Sequence, residues 1–206
     1  MQRRQRAARR TLHADSRTAA PVISFDDERL RSARDKWQYR GQIRPPFAET
    51  PGPGQRSVWD FPRPPAIGPD SREVLVRCRG ETLAATRRAL TVCETASPPT
   101  WYIPLQDIRA ERLRAVPGPS VCEWKGVASY YDIVVDGLSL PRAAWTYASP
   151  FPGAEALNGH FAFYPHQLEC FVTGEPVQPQ PGHLYAGWVT NDVCGPFKGA
   201  PGTEWW

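Results

Sequence analysis

The sequence predicts a mainly β protein: compact antiparallel sheets, barrel- or sandwich-like, with little helix and a proline-rich arm at either end. Three observations carry this. From Arg72 onward apolar residues alternate with polar ones, as in Val74, Val76 and Cys78, which is the period of a half-buried strand. Asp136-Gly137 stands between the apolar run Val127–Val135 and the run Ala143–Tyr147, and Asp-Gly in that setting signals a two-residue hairpin. The 23 prolines sit at the ends of apolar runs, where a missing N–H is tolerated, so they mark edges and turns.

Taken in order, the chain begins with a basic tail, residues 1–24. Arginines at 3, 4, 6, 9, 10 and 17 face one acid, Asp15, a local balance of +5 within a total of +4, which leaves the rest near −1. Composition reads this tail as disordered, with an Arg-rich, acid-poor transit peptide as the rival reading. Residues 25–69 form a second segment. Phe25–Tyr39 reads as a short amphipathic helix, acids early and bases late, with Leu30, Ala33 and Trp37 on one stripe. Residues 41–69 hold eight prolines and read as an extended arm. This arm either clamps the body through Trp59 and Phe61, or is a lid that carries Trp59, Asp60 and Arg63 to a pocket rim.

Residues 70–206 form the β-rich domain with a C-terminal covering arm. Eight to ten short strands are expected: Val74–Cys78, Thr82–Thr86, Ala89–Glu94, Thr100–Leu105, the strand leaving Cys122, Ala143–Tyr147, and a hairpin pairing His160–Tyr164 with Gln167–Thr173. Asp107–Val116 fits a helix or a twisted strand, and Ala154–Leu157 allows at most a turn of helix. From Gln178 to Trp206 the chain is rich in Gly, Pro and aromatics.

Composition bounds the function. A near-neutral body argues against a nucleic-acid-binding face, since phosphate contacts need cations on the fold itself. No run of about 18 apolar residues exists to span a membrane. Five single cysteines (78, 93, 122, 170, 194) without a C-x-x-C pair, and no secretory segment after Met1, point to reduced thiols and a cytoplasmic protein. P-loop, dinucleotide-binding and nucleophile-elbow motifs are all missing, and no cofactor is expected.

Chemistry concentrates at Cys122-Glu123-Trp124-Lys125-Gly126. As a thiolate, Cys122 needs a cation such as Lys125 or His160 beside it; otherwise it is a buried structural cysteine. In regular strand geometry Cys122 and Trp124 share one face and Lys125 the other, so Lys125 misses the thiol unless Lys125-Gly126 breaks the strand. Lys125 pairs with an anionic ligand group, or with Glu94. Glu94 keeps the parity of Leu90 and Val92 and should point inward. It is then a general base with a raised pKa, a ligand acceptor, or one half of a salt bridge to an arginine. His160 is an acid–base candidate or a hydrogen-bonded strand end. Aromatic residues cluster around these motifs, and planar ligands bind between such faces. Trp59, Trp124 and Trp188, with Tyr102 behind them, are the candidate ligand contacts, and Arg63 joins them at the rim.

At Ser57–Pro65, Glu94-Thr95 with Pro98–Pro104, Cys122–Gly126, Ala144–Tyr147 and His160–Pro165, the chain resembles the domain-of-unknown-function 427 family, also catalogued as nucleotidyltransferase-like. The likeness runs from about Arg34 to the C-terminus and takes in Gly187-Trp-Val-Thr and Gly195-Pro-Phe-Lys. It implies a β-tent type of fold, shared with methionine sulfoxide reductase B and the thalidomide-binding domain of cereblon. It implies no established reaction, and the transferase label has no matching motif here. Many β-tent domains hold a structural zinc on two C-x-x-C pairs. This chain has none, and one Cys with one His would under-ligand a metal, so no metal is expected.

Three functions are compatible with these residues. The first is a small-molecule-binding β domain whose aromatic pocket takes a planar polar ligand, nucleobase-, nucleotide- or imide-like, between Glu94 and Lys125. The second is an enzyme using the same pocket for acid–base chemistry on a nucleotide-like or amide substrate. The third is an interaction module offering its Pro-rich arm to another protein.

Overall fold

The computed structural model describes residues 23–182 and 184–206. The basic tail lies outside them, apart from its last two residues.

The helix is shorter than its amphipathic pattern suggests. It spans α1 (Glu28–Asp35), because the Asp27 carboxylate accepts the Arg29 N–H at 2.9 Å and fixes the start one turn into the pattern. Its anchor is a cation. Arg34 is buried, donating from Nε to the Glu123 carbonyl at 2.9 Å and from Nη2 to the Phe25 carbonyl at 2.8 Å. Trp37 lies past the helix end.

The arm then carries β1 (Arg56–Ser57) and leads into five short strands: β2 (Ala66–Asp70), β3 (Val74–Cys78), β4 (Glu81–Thr86), β5 (Ala89–Cys93) and β6 (Thr100–Pro104). Three long strands follow: β7 (Leu113–Cys122), β8 (Gly126–Val135) and β9 (Leu138–Pro150). The β8–β9 turn has Asp136 and Gly137 at φ 46° and 78°, the double positive φ that Asp-Gly supplies with least strain. Then come β10 (His160–Phe163), β11 (Glu169–Val172), β12 (Glu175–Pro176), β13 (Gln178–Pro179), β14 (Trp188–Val189) and β15 (Val193–Cys194).

The protein is mainly β, and among the described residues none of the sheets closes into a barrel. A seven-stranded sheet has the order β2-β5-β6-β10-β9-β8-β7, and a four-stranded sheet the order β12-β11-β3-β4. All pairs within these two sheets are antiparallel. One expected pairing is corrected. His160–Phe163 and Glu169–Val172 do not form a hairpin, because β10 already pairs with β6 on one side and β9 on the other. β11 crosses to the second sheet and pairs with β3.

The alternation of side chains along the strands gives the large sheet two apolar faces. Trp101, Ile103, Phe161 and Phe163 join Val74, Val76, Cys170 and Val172 in the main core, between the two sheets. Tyr102, Trp145, Tyr147 and Ala162 belong to a separate cluster. That second cluster is covered by the arms, and there the candidate site lies.

The arms are stitched to each other as well as to the body. β1 runs parallel to β15, and the Glu49 N–H donates to the Gly195 carbonyl at 2.9 Å. Val58, Trp59 and Phe61 form a third core with Ala96 and Val193. Among the described residues all five cysteines are free thiols, no helix is long and apolar enough to cross a membrane, and no cluster of three or more His, Cys, Asp or Glu side chains is arranged to hold a metal ion.

Candidate functional site

The corner Glu94-Thr95-Ala96, just beyond β5, is where the arms meet the sheet. The Ala96 N–H donates to the Val58 carbonyl at 3.1 Å, and the Thr95 hydroxyl to the Phe61 carbonyl at 2.5 Å. From the C-terminal side, the Lys198 N–H donates to the Ala96 carbonyl at 2.8 Å. Each bond satisfies a backbone group that would otherwise be buried unpaired, so both arms are held at one place.

Arg63 reaches into that corner with a side chain of 0% exposure. Its Nε lies 3.2 Å from Glu94 Oε1, Nη2 donates to the Thr95 carbonyl at 2.8 Å, and Nη1 to the Tyr39 carbonyl at 3.0 Å and a main-chain oxygen of Trp206 at 3.2 Å. On the other side of Glu94, Lys125 Nζ stands 3.3 Å from Oε2. Burial works to raise the Glu94 carboxyl, but Lys125 and Arg63 outweigh it and hold the group below the ordinary range. Glu94 is therefore an ionised, doubly paired carboxylate. The reading of it as a general base with a raised pKa is corrected: the cations that surround it remove its basicity.

The turn that delivers Lys125 departs from strand geometry. β7 stops at Cys122, residues 123–125 turn, and Gly126 opens β8 with φ 111°. A Cβ there would lie 3.2 Å from the Ser149 carbonyl oxygen and 3.3 Å from the Phe151 nitrogen. The break brings Cys122 and Lys125 to the same cavity instead of opposite faces. Even so, the thiol is not activated. Burial pushes the Cys122 thiol up, and Glu123 and Glu94 reinforce this against the opposing effect of Lys125. A depressed-pKa nucleophile at Cys122 is thus corrected as well. Its Sγ lies 3.7 Å from Glu123 Oε2.

These groups open into a cavity of about 330 Å³. Tyr102, Tyr147, Trp145 and Tyr164 wall it from the sheet, and Trp37, Tyr185 and Leu184 from the arms. The wall is internally bonded: Trp145 Nε1 donates to the Tyr102 hydroxyl at 3.2 Å, and Trp37 Nε1 to Glu123 Oε1 at 2.6 Å. Burial lifts Tyr102 to about 12, so it stays a neutral phenol.

Glu94, Lys125, Cys122 and Tyr102 line this cavity together, with Arg63 behind Glu94. Four other candidate residues do not line it. Trp59, 0% exposed, packs edge-on to Tyr39 and Phe47 in the arm core. Trp188, also 0% exposed, stacks at a tilt on Trp101 and donates to the Phe163 carbonyl at 3.1 Å. Trp124 is buried beneath the Arg34 guanidinium, 5.5 Å from its ring. His160 begins β10 with Nδ1 3.1 Å from the Asn158 carbonyl oxygen. Large aromatic surface is most stable where it is wholly removed from water, and the two tryptophans expected as a closing lid became core instead.

Lys198 is the residue that sequence reasoning missed. It is 3% exposed and lines the cavity, with Nζ 3.5 Å from the Trp37 ring centroid and 3.4 Å from the Trp206 backbone oxygen. Among the described residues it has no Asp or Glu partner in ion-pair range. Burial and the neighbouring Arg63 bring its pKa down to about 8, against the pull of Glu94 and Glu123. Its backbone is fixed by Gln180, whose Nε2 donates to the Lys198 carbonyl at 2.7 Å. Gly199 follows with φ 127°, and a Cβ there would overlap the Pro181 carbonyl. The signal available in the sequence was its place in Gly195-Pro-Phe-Lys, within a segment read only as cover.

Residues 66–174 match the family described as a domain of unknown function (DUF427), catalogued NTP_transf_9. The chain belongs to the DUF427 family. No curated protein matches it. The DUF427 match covers β2 through β11, hence Glu94, Tyr102, Cys122 and Lys125. Trp37, Arg63, Tyr185 and Lys198, which complete the site, come from the arms on either side of the matched segment.

Proposed function

We propose that this DUF427 protein is a small-molecule-binding β domain whose cavity takes a planar polar ligand. The observation that carries this reading is the joint presence of aromatic walls and a buried cation, Lys198, that pairs with no Asp or Glu side chain among the described residues. Tyrosine and tryptophan faces suit a flat ring, while Lys198 and the Lys125–Glu94 pair offer a cation, donors and an acceptor at one end. The Lys198 ammonium on the wall favours a ligand with anionic or strongly electron-rich groups. Nucleobase-, nucleotide- and imide-like molecules fall in this class. Five free thiols support a reducing compartment such as the cytoplasm.

The enzyme reading uses the same pocket, and the buried Lys198 amine on its wall favours it: burial and Arg63 bring that amine down to about 8, the range in which acid–base and nucleophilic groups work. A thermal-shift screen against nucleobases, nucleotides, cyclic imides and planar carboxylates tests the binding reading, since ligand bound only to the folded state raises Tm by mass action. A hit lost in Lys125→Ala and Glu94→Gln, read at a temperature where both variants remain folded, supports it. No hit with the wild type would contradict it.

A further inference from the structure

Two of the three cavity-associated cations are already engaged. Arg63 donates to Glu94 and to three main-chain oxygens, and Lys125 is paired with Glu94. Among the described residues Lys198 pairs with no Asp or Glu side chain, and its Nζ meets a main-chain oxygen of Trp206 at 3.4 Å and the Trp37 ring face. An amine so placed, desolvated and beside another cation, is the arrangement that makes a lysine nucleophilic. We propose that Lys198 captures the carbonyl carbon of a planar aldehyde or ketone ligand as a reversible imine. The proposal rests on the binding reading above, and names the ligand class that the same cavity would take.

The step balances without a co-reactant. The Nζ lone pair adds to the carbonyl carbon, a C–N bond forms, and the carbonyl π pair moves to oxygen, which takes a proton. The carbinolamine then loses that oxygen as water while nitrogen gives up its proton and C=N forms. One water leaves and nothing is oxidised or reduced. Glu123, hydrogen-bonded to Trp37, lies in the same cavity and can accept and return the proton. Lys125 is the weaker nucleophile, because its contact with the Glu94 carboxylate keeps it protonated against the effect of burial.

The amine fraction sets the expected effect. With a value of about 8, Lys198 is neutral roughly a hundredfold more often near pH 7.5 than an ordinary lysine. The charged and titratable groups that act on it are Arg63, Glu94, Glu123, Cys122 and Glu204, with the Trp206 main-chain oxygen at 3.4 Å, the Tyr185 ring 5.1 Å away and the Trp37 face favouring the ammonium.

The test uses the full chain, 4-formylbenzoate as probe and sodium cyanoborohydride to fix any imine. 4-(Hydroxymethyl)benzoate, which cannot form one, is the comparator. The chain has only Lys36, Lys125 and Lys198, so peptide mapping of the wild-type protein assigns the adduct without a variant. The expected result is labelling of Lys198 at least about tenfold over Lys36, rising as pH passes 8, and suppressed by excess comparator. Lys198→Arg abolishes it. If both compounds raise Tm but the label spreads evenly over the lysines, the binding reading stands and the imine is overturned. If neither raises Tm and Lys198 stays unlabelled, the imine is overturned and the binding reading fails for planar aromatic acids.

Discussion

Lys125 Nζ stands 3.3 Å from Glu94 Oε2, joining the turn after β7 to the end of β5 at the floor of the cavity. Arg63 takes the other oxygen of the same carboxylate, and its own chain segment is the proline-rich arm. One carboxylate therefore ties the sheet, the turn and the arm together.

Removing Arg63 should be costly, because it takes one of two cations from Glu94 and leaves three main-chain oxygens without this donor. Arg63→Met is expected to lose about 3–5 kcal/mol, the range for breaking a buried ion pair from one side. Urea unfolding measures it. Glu94 adds a pH signature. Its folded value is depressed, so its contribution is complete above the unfolded carboxylate value and is lost as pH falls through the folded one. Glu94→Gln should flatten that acid limb, and an unchanged limb would assign it to other carboxylates.

Lys198 gives the opposite limb. Its folded value, about 8, lies below that of an unfolded lysine, so between the two the unfolded chain binds more protons. Stability from this residue should rise as pH climbs from about 8 towards 10. The wild type should gain relative to Lys198→Met over that window, read as the difference in urea midpoint at each pH. A constant difference would mean that Lys198 keeps its proton throughout.

The Cys122 thiol should be unreactive. Iodoacetamide at neutral pH is expected to label it more slowly than a free cysteine, with the contrast lost in urea, because burial and two carboxylates disfavour the thiolate. Quantitative peptide mapping reads this directly. Faster labelling than free cysteine would restore it as a nucleophile.

Trp59 and Trp188 should act through stability alone. Replacing either with Ala is expected to cost about 3–5 kcal/mol, the range for truncating a fully buried large aromatic. Where the variant remains folded, its ligand affinity should match that of the wild type. A loss of affinity at full stability would return these rings to the site.

Much of the fold was legible because period-two patterning and Asp-Gly chemistry are local. Val74–Cys78, Thr100–Pro104 and the turn at Asp136-Gly137 follow from nearest neighbours along the chain. The pairing of β10 with β6 and β9 was not, because two adjacent strands with a turn between them look alike whether they pair or part. The site divided in the same way. Parity along β5 turned Glu94 inward, and the glycine after Lys125 marked the break. Which aromatic rings face a cavity and which fill a core depends on both arms folding back, and no local pattern separates Trp37 from Trp59. Lys198 was hidden for the same reason: its burial is produced by Trp37 and Arg63, distant in sequence.

The most direct test of the central claim is a crystal structure of the full chain with the ligand that most raises its Tm. The account predicts that ligand density fills the cavity between Tyr102 and Trp37, with a polar atom in contact with Lys198 Nζ. Density elsewhere, such as the polar groove bounded by Glu49 and Glu175, with this cavity left unchanged, would contradict it.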